Sequence, residues 1–384
     1  MTRTLRRKRI RRVVVVTGSR GEYGLLRPAM EAIDKHPTMR LHLVVTGMHL
    51  LKKFGRTVKD IRRDGWRIDS CVRMQRGDDS TLDQAEGLAR GVRGIGRFLE
   101  AVDGDIVLVL GDRIEAMAGA LAATATGRIL AHIHGGDRAP GDLDDRFRHA
   151  ISKLAHVHFA ATKSAGRRLI RMGEEPRRVH VVGAPGLDRI RILLGRHQEK
   201  RSSTGRALVV YHAFGKAAST ERRTMATILR AVVAAGLAPT IVYPNSDRGH
   251  SGVIEAIESH RDRYPRNSAE VVRSLTRDDY LRRLIDSDVI IGNSSSGVIE
   301  ACFAGTPAVN VGDRQRGREK GGRAVIDSDE TRRSISSALR KALPLRPKPG
   351  APGAYGTKAV GPKIAHILAK TALDEVFRRK TIVY

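Results

Sequence analysis

RRVVVVTGSRGEYGLL, residues 11–26, is the stretch whose reading decides the fold. Its valine run is too short for a membrane span and too uniformly apolar for a strand with one wet face. RRVVVVTG (11–18) therefore reads as a strand buried on both faces, followed by a Gly-rich loop, GSRGEYG (18–24), and a helix from Leu25 to about Lys35. Working outward, RLHLVVTG (40–47), GDIVLVLG (104–111), ILAHIHG (129–135), HVHFAAT (156–162) and RVHVVG (178–183) repeat the theme, with helical patterns between most of them. Apolar strands joined by helices predict parallel βαβ units.

GAPGLDRI (183–190) leads to a polar stretch, GRHQEKRSSTGR (195–206), which marks a domain boundary. The pattern then restarts with ALVVYH (207–212), a helix near 219–235, PTIVYPN (239–245), VIIGN (289–293) and TPAVNVG (306–312). RPKPGAPGAYG (346–356) is too rich in Pro and Gly to be regular, whereas 361–378 has helical spacing at Ile364, Ile367, Leu368, Leu373, Val376 and Phe377. At 384 residues the chain suits two domains rather than one core. The expected fold class is α/β, with two Rossmann-like domains around a cleft: a basic extension (1–12), then 13–190, 191–360 and a closing segment, 361–384.

The net charge of +29 raises nucleic-acid binding as a function class. Nucleic-acid binders concentrate charge and interleave aromatic residues for base stacking. Here Lys and Arg are spread along the chain and aromatic residues make up only 4% of it, so no nucleic-acid partner is expected. A solvated Arg-rich surface explains the balance, and a basic cleft would draw in an anion such as a nucleotide. Cys71 and Cys302 form no CxxC pattern, and the seven basic residues of MTRTLRRKRIRR have no long apolar segment behind them. The expectation is a cytoplasmic protein in a reducing compartment, without signal peptide or membrane partner.

In open α/β domains ligands bind beyond the carboxyl ends of the strands, and each polar cluster of this chain follows a strand. GSRGEYG places Arg20 and helix N-terminal amides where a diphosphate could lie; the same residues also suit a tight turn with a solvated arginine. GDRIEA (111–116) offers Asp112 and Arg113, the aspartate either capping a helix or facing the cleft. HIHGGDRAPGDLDDRFRH (132–149) alternates His132 and His134 on one strand face before Asp137. A metal site is conceivable, but flanking arginines oppose it and no third ligand is well spaced. Asp142, Asp144 and Asp145 can cap the next helix. Asp144 lies four residues before Arg148, on one helical face, and can reach the cleft as an acid or base. His212 ends a strand of the second domain, and PNSDRG (244–249) carries Asn245 and Asp247. In IGNSSSGVIEACFAGTPAVNVGDRQRGR (291–318), serines at a helix start make an anion cradle, Glu300 is placed for a ribose diol, and Arg314 follows the next strand.

Taken together, GSRGEYGLLRP, VVTGMHL, GDRIEA, HIHGGD…DD…RHAISKLAHVHF, VVGAPGLD, YPNSD, IGNSSSGVIEA and NVGDRQRGR resemble the hydrolysing UDP-N-acetylglucosamine 2-epimerases of the sialic and legionaminic acid branch. The resemblance runs from about residue 13 to 320. It implies a glycosyltransferase-B-like fold whose final helix crosses back to the first domain. It also implies a reaction: elimination of UDP across C1–C2 to a glycal, then hydration to the free sugar epimerised at C2. No metal or other cofactor is implied. Carried over, Asp112, Asp137, Asp144 and His212 become acid/base candidates. Arg20, Arg113, Arg148 and Arg314 hold or border the diphosphate, while Asn245, Ser294, Ser295 and Glu300 bind the nucleotide, Glu300 at the ribose. The sequence departs from the pattern in carrying Asp137 where the branch usually has Glu, AFGKAAS after His212 where a Pro normally follows, and His250 after YPNSDRG. The expected partners are a UDP-sugar and further copies of the chain, as a dimer or tetramer. The competing readings are a glycosyltransferase on the same fold and a non-hydrolysing epimerase.

Overall fold

The computed structural model describes residues 9–52, 55–77, 81–138, 144–196, 204–244, 247, 249–264, 269–273, 275–356 and 358–383, apart from the side chains of Thr81 and Asp144. The first half runs β1 (Arg11–Thr17), α1 (Arg20–Asp34), β2 (Met39–Thr46), α2 (Val58–Arg63), β3 (Ser70–Val72), α3 (Thr81–Ala101), β4 (Ile106–Leu110) and α4 (Ile114–Ala125). It continues with β5 (Ile129–Ile133), α5 (Asp144–Leu154), β6 (Val157–Ala160), α6 (Lys163–Arg171), β7 (Val179–Val181) and α7 (Gly186–Leu194). The second half is β8 (Arg206–Val210), α8 (Ala218–Ala234), β9 (Ala238–Val242), α9 (His250–Arg263), β10 (Glu270–Val272), α10 (Arg277–Asp286) and β11 (Val289–Gly292). After it come α11 (Ser295–Ile299), α12 (Ala301–Ala304), β12 (Ala308–Val311), β13 (Val325–Ser328) and α13 (Arg332–Ala342), and last α14 (Gly361–Lys370) and α15 (Glu375–Arg378).

Two parallel sheets result, ordered β3-β2-β1-β4-β5-β6-β7 and β10-β9-β8-β11-β12-β13. Both reverse direction between their first strand and the fourth, so each has a switch point, between β1 and β4 and between β8 and β11. The valine run behaves as its composition demands: Val13, Val14, Val15 and Val16 are all buried, alternate side chains entering opposite faces of the sheet.

The structure departs from the sequence reading in places that have local causes. α1 starts at Arg20, not Leu25, so Gly21 and Gly24 lie inside it. Ser19 is extended at the N-cap, and Glu22 folds back to accept the N–H of Gly18, the residue before the N-cap, at 3.2 Å, which ties the loop to the first turn of the helix. Strands β3, β10 and β13 were not anticipated, because SCV, EVV and VIDS carry no apolar run. The expected terminal helix is two helices, broken where Asp374 caps α15 by accepting the Phe377 N–H at 2.7 Å.

Two features tie the halves together. Leu187, Ile190 and Leu193 of α7 pack into the second core, ahead of the polar stretch read as the boundary, of which 197–203 lie outside the described residues. The chain returns at α14, whose Ile364, Ala365 and Leu368 enter the first core beside α1. Asp188 anchors this return: its carboxylate accepts the Val360 N–H at 2.7 Å and the Gly361 N–H at 2.8 Å, an anion at a helix N-terminus.

Candidate active site between the two sheets

At the first switch point the loops after β1 and β4 touch. A Cβ on Gly18 would stand 2.2 Å from Cγ of Glu115, so only glycine lets the two loops meet here. Glu115 is buried in the first turn of α4, accepts from Arg113 Nε at 3.3 Å and lies 3.5 Å from Gln75 Nε2. Burial and the nearby Glu115 charge push the Glu22 carboxyl up to about 8, so Glu22 keeps its proton at neutral pH.

Asp112 follows Gly111, whose φ of +81° turns the chain out of β4. That turn is held from β5: His132 Nε2 donates to the Gly111 carbonyl at 2.7 Å, which leaves Nδ1 to accept from Ser152 Oγ at 3.2 Å. Burial drives the His132 imidazole down to about 3, so it is neutral. The buried Arg148 of α5 donates to the His134 carbonyl at 3.0 Å and pairs with the Asp112 carboxylate. His134 does not continue the strand face: β5 ends at Ile133, and His134, at φ +64°, donates through Nδ1 to Asp137 at 3.0 Å. Burial opposes ionisation of Asp137, but the His134 hydrogen bond and the charges of His134, Arg318 and Arg168 outweigh it, leaving the carboxyl below its ordinary range. Asp112, Arg148, His134 and Asp137 thus form one connected group.

At the second switch point, Asn293 accepts the His212 N–H and donates to the His212 carbonyl, both at 2.8 Å, locking the loops after β8 and β11 together. Arg314 and Gln315 donate to the Asn293 carbonyl at 3.1 and 3.0 Å. Burial, then the charges of Arg314 and Arg113 against that of Asp247, brings His212 down to about 3, an imidazole free of charge at neutral pH. Asp247 faces Arg113 at 3.9 Å and Arg314 at 4.0 Å, so one carboxylate stands between arginines of the two halves. Ser294 caps α11, accepting the Ser296 N–H at 3.3 Å, and Ser295 is its half-buried first residue. Glu300 accepts from Ser296 Oγ at 2.9 Å and pairs with Arg277. Arg20 stands at the first position of α1, its guanidinium lowered by burial against the raising effect of Asp60. Asn245 lies outside the described residues, and so does the side chain of Asp144, whose backbone opens α5.

Of the residues read from the sequence, the structure joins Asp112, Arg148 and Asp137 beyond the first sheet, sets His212 and Arg314 about Asn293 beyond the second, and brings Arg113 to Asp247 between them. Ser294, Ser295 and Glu300 group with Arg277, and Arg20 stands apart at the start of α1. The sequence reading missed Glu22, Glu115, Asn293, Arg277 and Arg318. Glu22, Glu115, Asn293 and Arg318 all lie inside quoted motifs; the two glutamates are acids in a helix's first turn, which pass for partners of its dipole. Arg277 carries no local signal; its partner Glu300 comes to it only through folding. Among the described residues no group of three or more His, Cys, Asp or Glu side chains is arranged to hold a metal ion.

Residues 31–369 match the sequence pattern of the UDP-N-acetylglucosamine 2-epimerase family. Across 382 residues the chain is 34% identical to a UDP-N,N'-diacetylbacillosamine 2-epimerase (hydrolyzing) of Legionella pneumophila, covering 98% of this chain and 100% of that one. It is 30% identical over 342 residues to a UDP-N-acetylglucosamine 2-epimerase of Neisseria meningitidis, 88% of each chain being covered. The fold is that of the UDP-GlcNAc 2-epimerase from Neisseria meningitidis bound to UDP-GlcNAc, at TM-score 0.77 and 16% identity over 94% of this chain and 100% of that one. The Methanocaldococcus jannaschii enzyme in complex with UDP-GlcNAc and UDP gives a TM-score of 0.78 at 18% identity, with the same coverage.

Proposed function

The chain belongs to the UDP-N-acetylglucosamine 2-epimerase family, and on that premise we propose that it is a hydrolysing member, converting a UDP-2-acetamido sugar to UDP and the free C2 epimer. The donor is UDP-N-acetylglucosamine or its 2,4-diacetamido-6-deoxy analogue, the latter serving legionaminic acid synthesis. A base removes the C2 proton as the C1–O bond to the diphosphate breaks, giving UDP and a glycal. Water then adds at C1 while a proton returns to C2 on the opposite face.

The observation that carries this reading is the facing of two groups across one cleft. The Asp112–Arg148–His134–Asp137 network lies on one side, and Arg113 and Arg314, one from each half, stand 3.9 and 4.0 Å from the Asp247 carboxylate, near enough to each other to share one anion. The C2 proton is weakly acidic, so its removal needs a held carboxylate and a leaving group whose growing charge is met by arginines. Asp112, Asp137 and Asp144 are the acid/base carboxylates, with neutral His212 able to accept a proton. Arg20, Arg113, Arg148 and Arg314 hold or border the diphosphate, and Asn245, Ser294, Ser295 and Glu300 bind the nucleotide. For Glu300 this requires that the ribose diol replace or join Arg277. Residues 13–190 then supply the carboxylates, 191–360 the nucleotide side and 361–384 the return to the first domain. The reaction takes place in the cytoplasm, in a homo-oligomer.

Proton NMR of the protein with UDP-N-acetylglucosamine in deuterated water tests the proposal. UDP appearing with a free manno-configured sugar deuterated at C2 is the expected result, slowed roughly a hundredfold or more in Asp112→Asn. The same outcome only with the 4-acetamido-6-deoxy donor assigns the substrate. A UDP-sugar epimer without free sugar makes the enzyme non-hydrolysing, and UDP release only with an acceptor makes it a transferase.

A further inference from the structure

The C-terminal segment does more than cross back to the first domain. Beyond α14 it runs back over that domain and is held there by part-buried polar contacts. Arg178 stacks on Phe377, its guanidinium carbon 4.0 Å from the ring centre, and donates to the Phe377 carbonyl at 3.0 Å. His156 Nε2 donates to the Arg378 carbonyl at 3.0 Å, and its Nδ1 accepts the N–H of Leu130 in β5 at 3.1 Å. The Val383 N–H donates to the Gly173 carbonyl at 3.0 Å. These bonds seat Lys380 against the end of α5.

There its ammonium meets three acceptors: the carbonyls of Ser152 and Lys153, at 3.2 and 2.6 Å, and the Glu174 carboxylate, at 2.5 Å. The carbonyls belong to the last turn of α5, where a cation is favoured by the dipole; the Ser152 carbonyl also accepts the Ala155 N–H at 3.2 Å. Glu174 is buried and is also approached by Lys153 at 2.8 Å and His158 at 2.9 Å. Burial opposes its charge, but the hydrogen bonds from His158, Lys153 and Lys380 bring its carboxyl down to about 2.

α5 is the element that arranges the cleft. Ser152, whose carbonyl Lys380 holds, bonds to His132 through its hydroxyl, and His132 holds the Gly111 carbonyl. One turn earlier, about 6 Å along the axis, Arg148 grips Asp112 and the His134 carbonyl. A shift of α5 would move both supports of the Asp112 loop at once.

We propose that Lys380 is a positioning residue for the acid/base site, its ammonium fixing the end of α5 and, through Ser152 and Arg148, the direction of Asp112; the role in catalysis rests on the function proposed above. The test compares Lys380→Met and Lys380→Arg with the parent protein in steady-state UDP release and in hydrogen exchange. In Lys380→Met, kcat falls roughly tenfold to a hundredfold with KM within about twofold, and exchange over residues 111–116 accelerates while 206–210 is unchanged. Lys380→Arg, which keeps the charge and most of the reach, restores most of kcat. An unaltered kcat with only a lower melting temperature, or unaltered exchange over 111–116, overturns the proposal. If Lys380→Met does not fold, Ser152→Ala decides: it cuts α5 from His132 with the tail in place, and an unchanged kcat and exchange pattern rejects the coupling. If the parent protein releases no UDP from either donor, the proposed function fails. The exchange measurement then decides the coupling of Lys380 to the Asp112 loop by itself.

Discussion

Asp112 shows how far a residue's role depends on neighbours remote in sequence. Its place after β4 is plain from GDIVLVLG, but its orientation comes from Arg148 on α5 and from the His132 clamp on Gly111. Arg148→Met leaves the carboxylate without its buried partner and the His134 carbonyl without a donor. Stability should drop by roughly 3–5 kcal/mol, with kcat falling further than in a control of equal stability; denaturant melts and UDP-release kinetics check both. Glu22 titrates in the opposite sense from a salt-bridged acid. Its folded pKa of about 8 lies above the ordinary 4.5, so its stabilising effect is complete below 4.5 and is lost as pH rises through 8. Glu22→Gln should therefore melt above the parent protein by a gap that widens from pH 5 to pH 8 and then levels. A gap independent of pH would show that Glu22 is ionised in the fold. In the sequence Arg148 stands four residues from Asp144, on the same helical face; that it serves Asp112 is not legible there, because the pairing joins α5 to the loop after β4, 36 residues away in the chain.

Among the elements, the central strands and the edge strand β7 are legible in the sequence, whereas the edges β3, β10 and β13 are not. A strand covered on both faces must be apolar throughout, which marks β1, β4 and β5, whereas three- and four-residue edge strands need no such run. The start of α1 escaped notice because Gly21 and Gly24 signal a loop; packing and the Glu22 bond to Gly18 override that preference. The clearest element-scale prediction concerns α14. A Cβ on Gly361 would approach the Pro28 carbonyl oxygen to 2.1 Å, so Gly361→Ala has to separate α14 from α1. It should cost about 1–3 kcal/mol. Ile364→Ala, which empties a fully buried position in the same contact, should cost about 2–5 kcal/mol. Both should unfold the first sheet ahead of the second, as hydrogen exchange of β1 against β8 would reveal.

At the scale of the whole molecule, the +29 charge acts on rates and on acid stability. Arg113 and Arg314 at the cleft lie within that field, so kcat/KM for a UDP-sugar should fall several-fold between about 0.05 and 0.5 M salt with kcat little changed. An unvarying kcat/KM would mean that the surface charge does not reach the cleft. Burial holds His49 and His156 at about 4 and His132 at about 3, all below the ordinary 6.5. Their neutral forms therefore support the fold fully above pH 6.5, and that support is lost as pH falls through 4 and 3; melting temperatures measured downward from pH 7 should decline across this window. By itself the sequence determined the α/β class, the doubling of the unit, the strand ends where a site must lie and, through its joined motifs, the family. Periodicity and turn chemistry are local properties, readable a few residues at a time. Only the tertiary structure decided that Arg148 serves Asp112, that Arg277 lies on Glu300, that Asp247 stands between arginines of both halves and that Lys380 closes α5. Each of these is a contact between segments far apart in the chain, and burial, which sets both its strength and its protonation, exists only once the two sheets and the returning helix have packed.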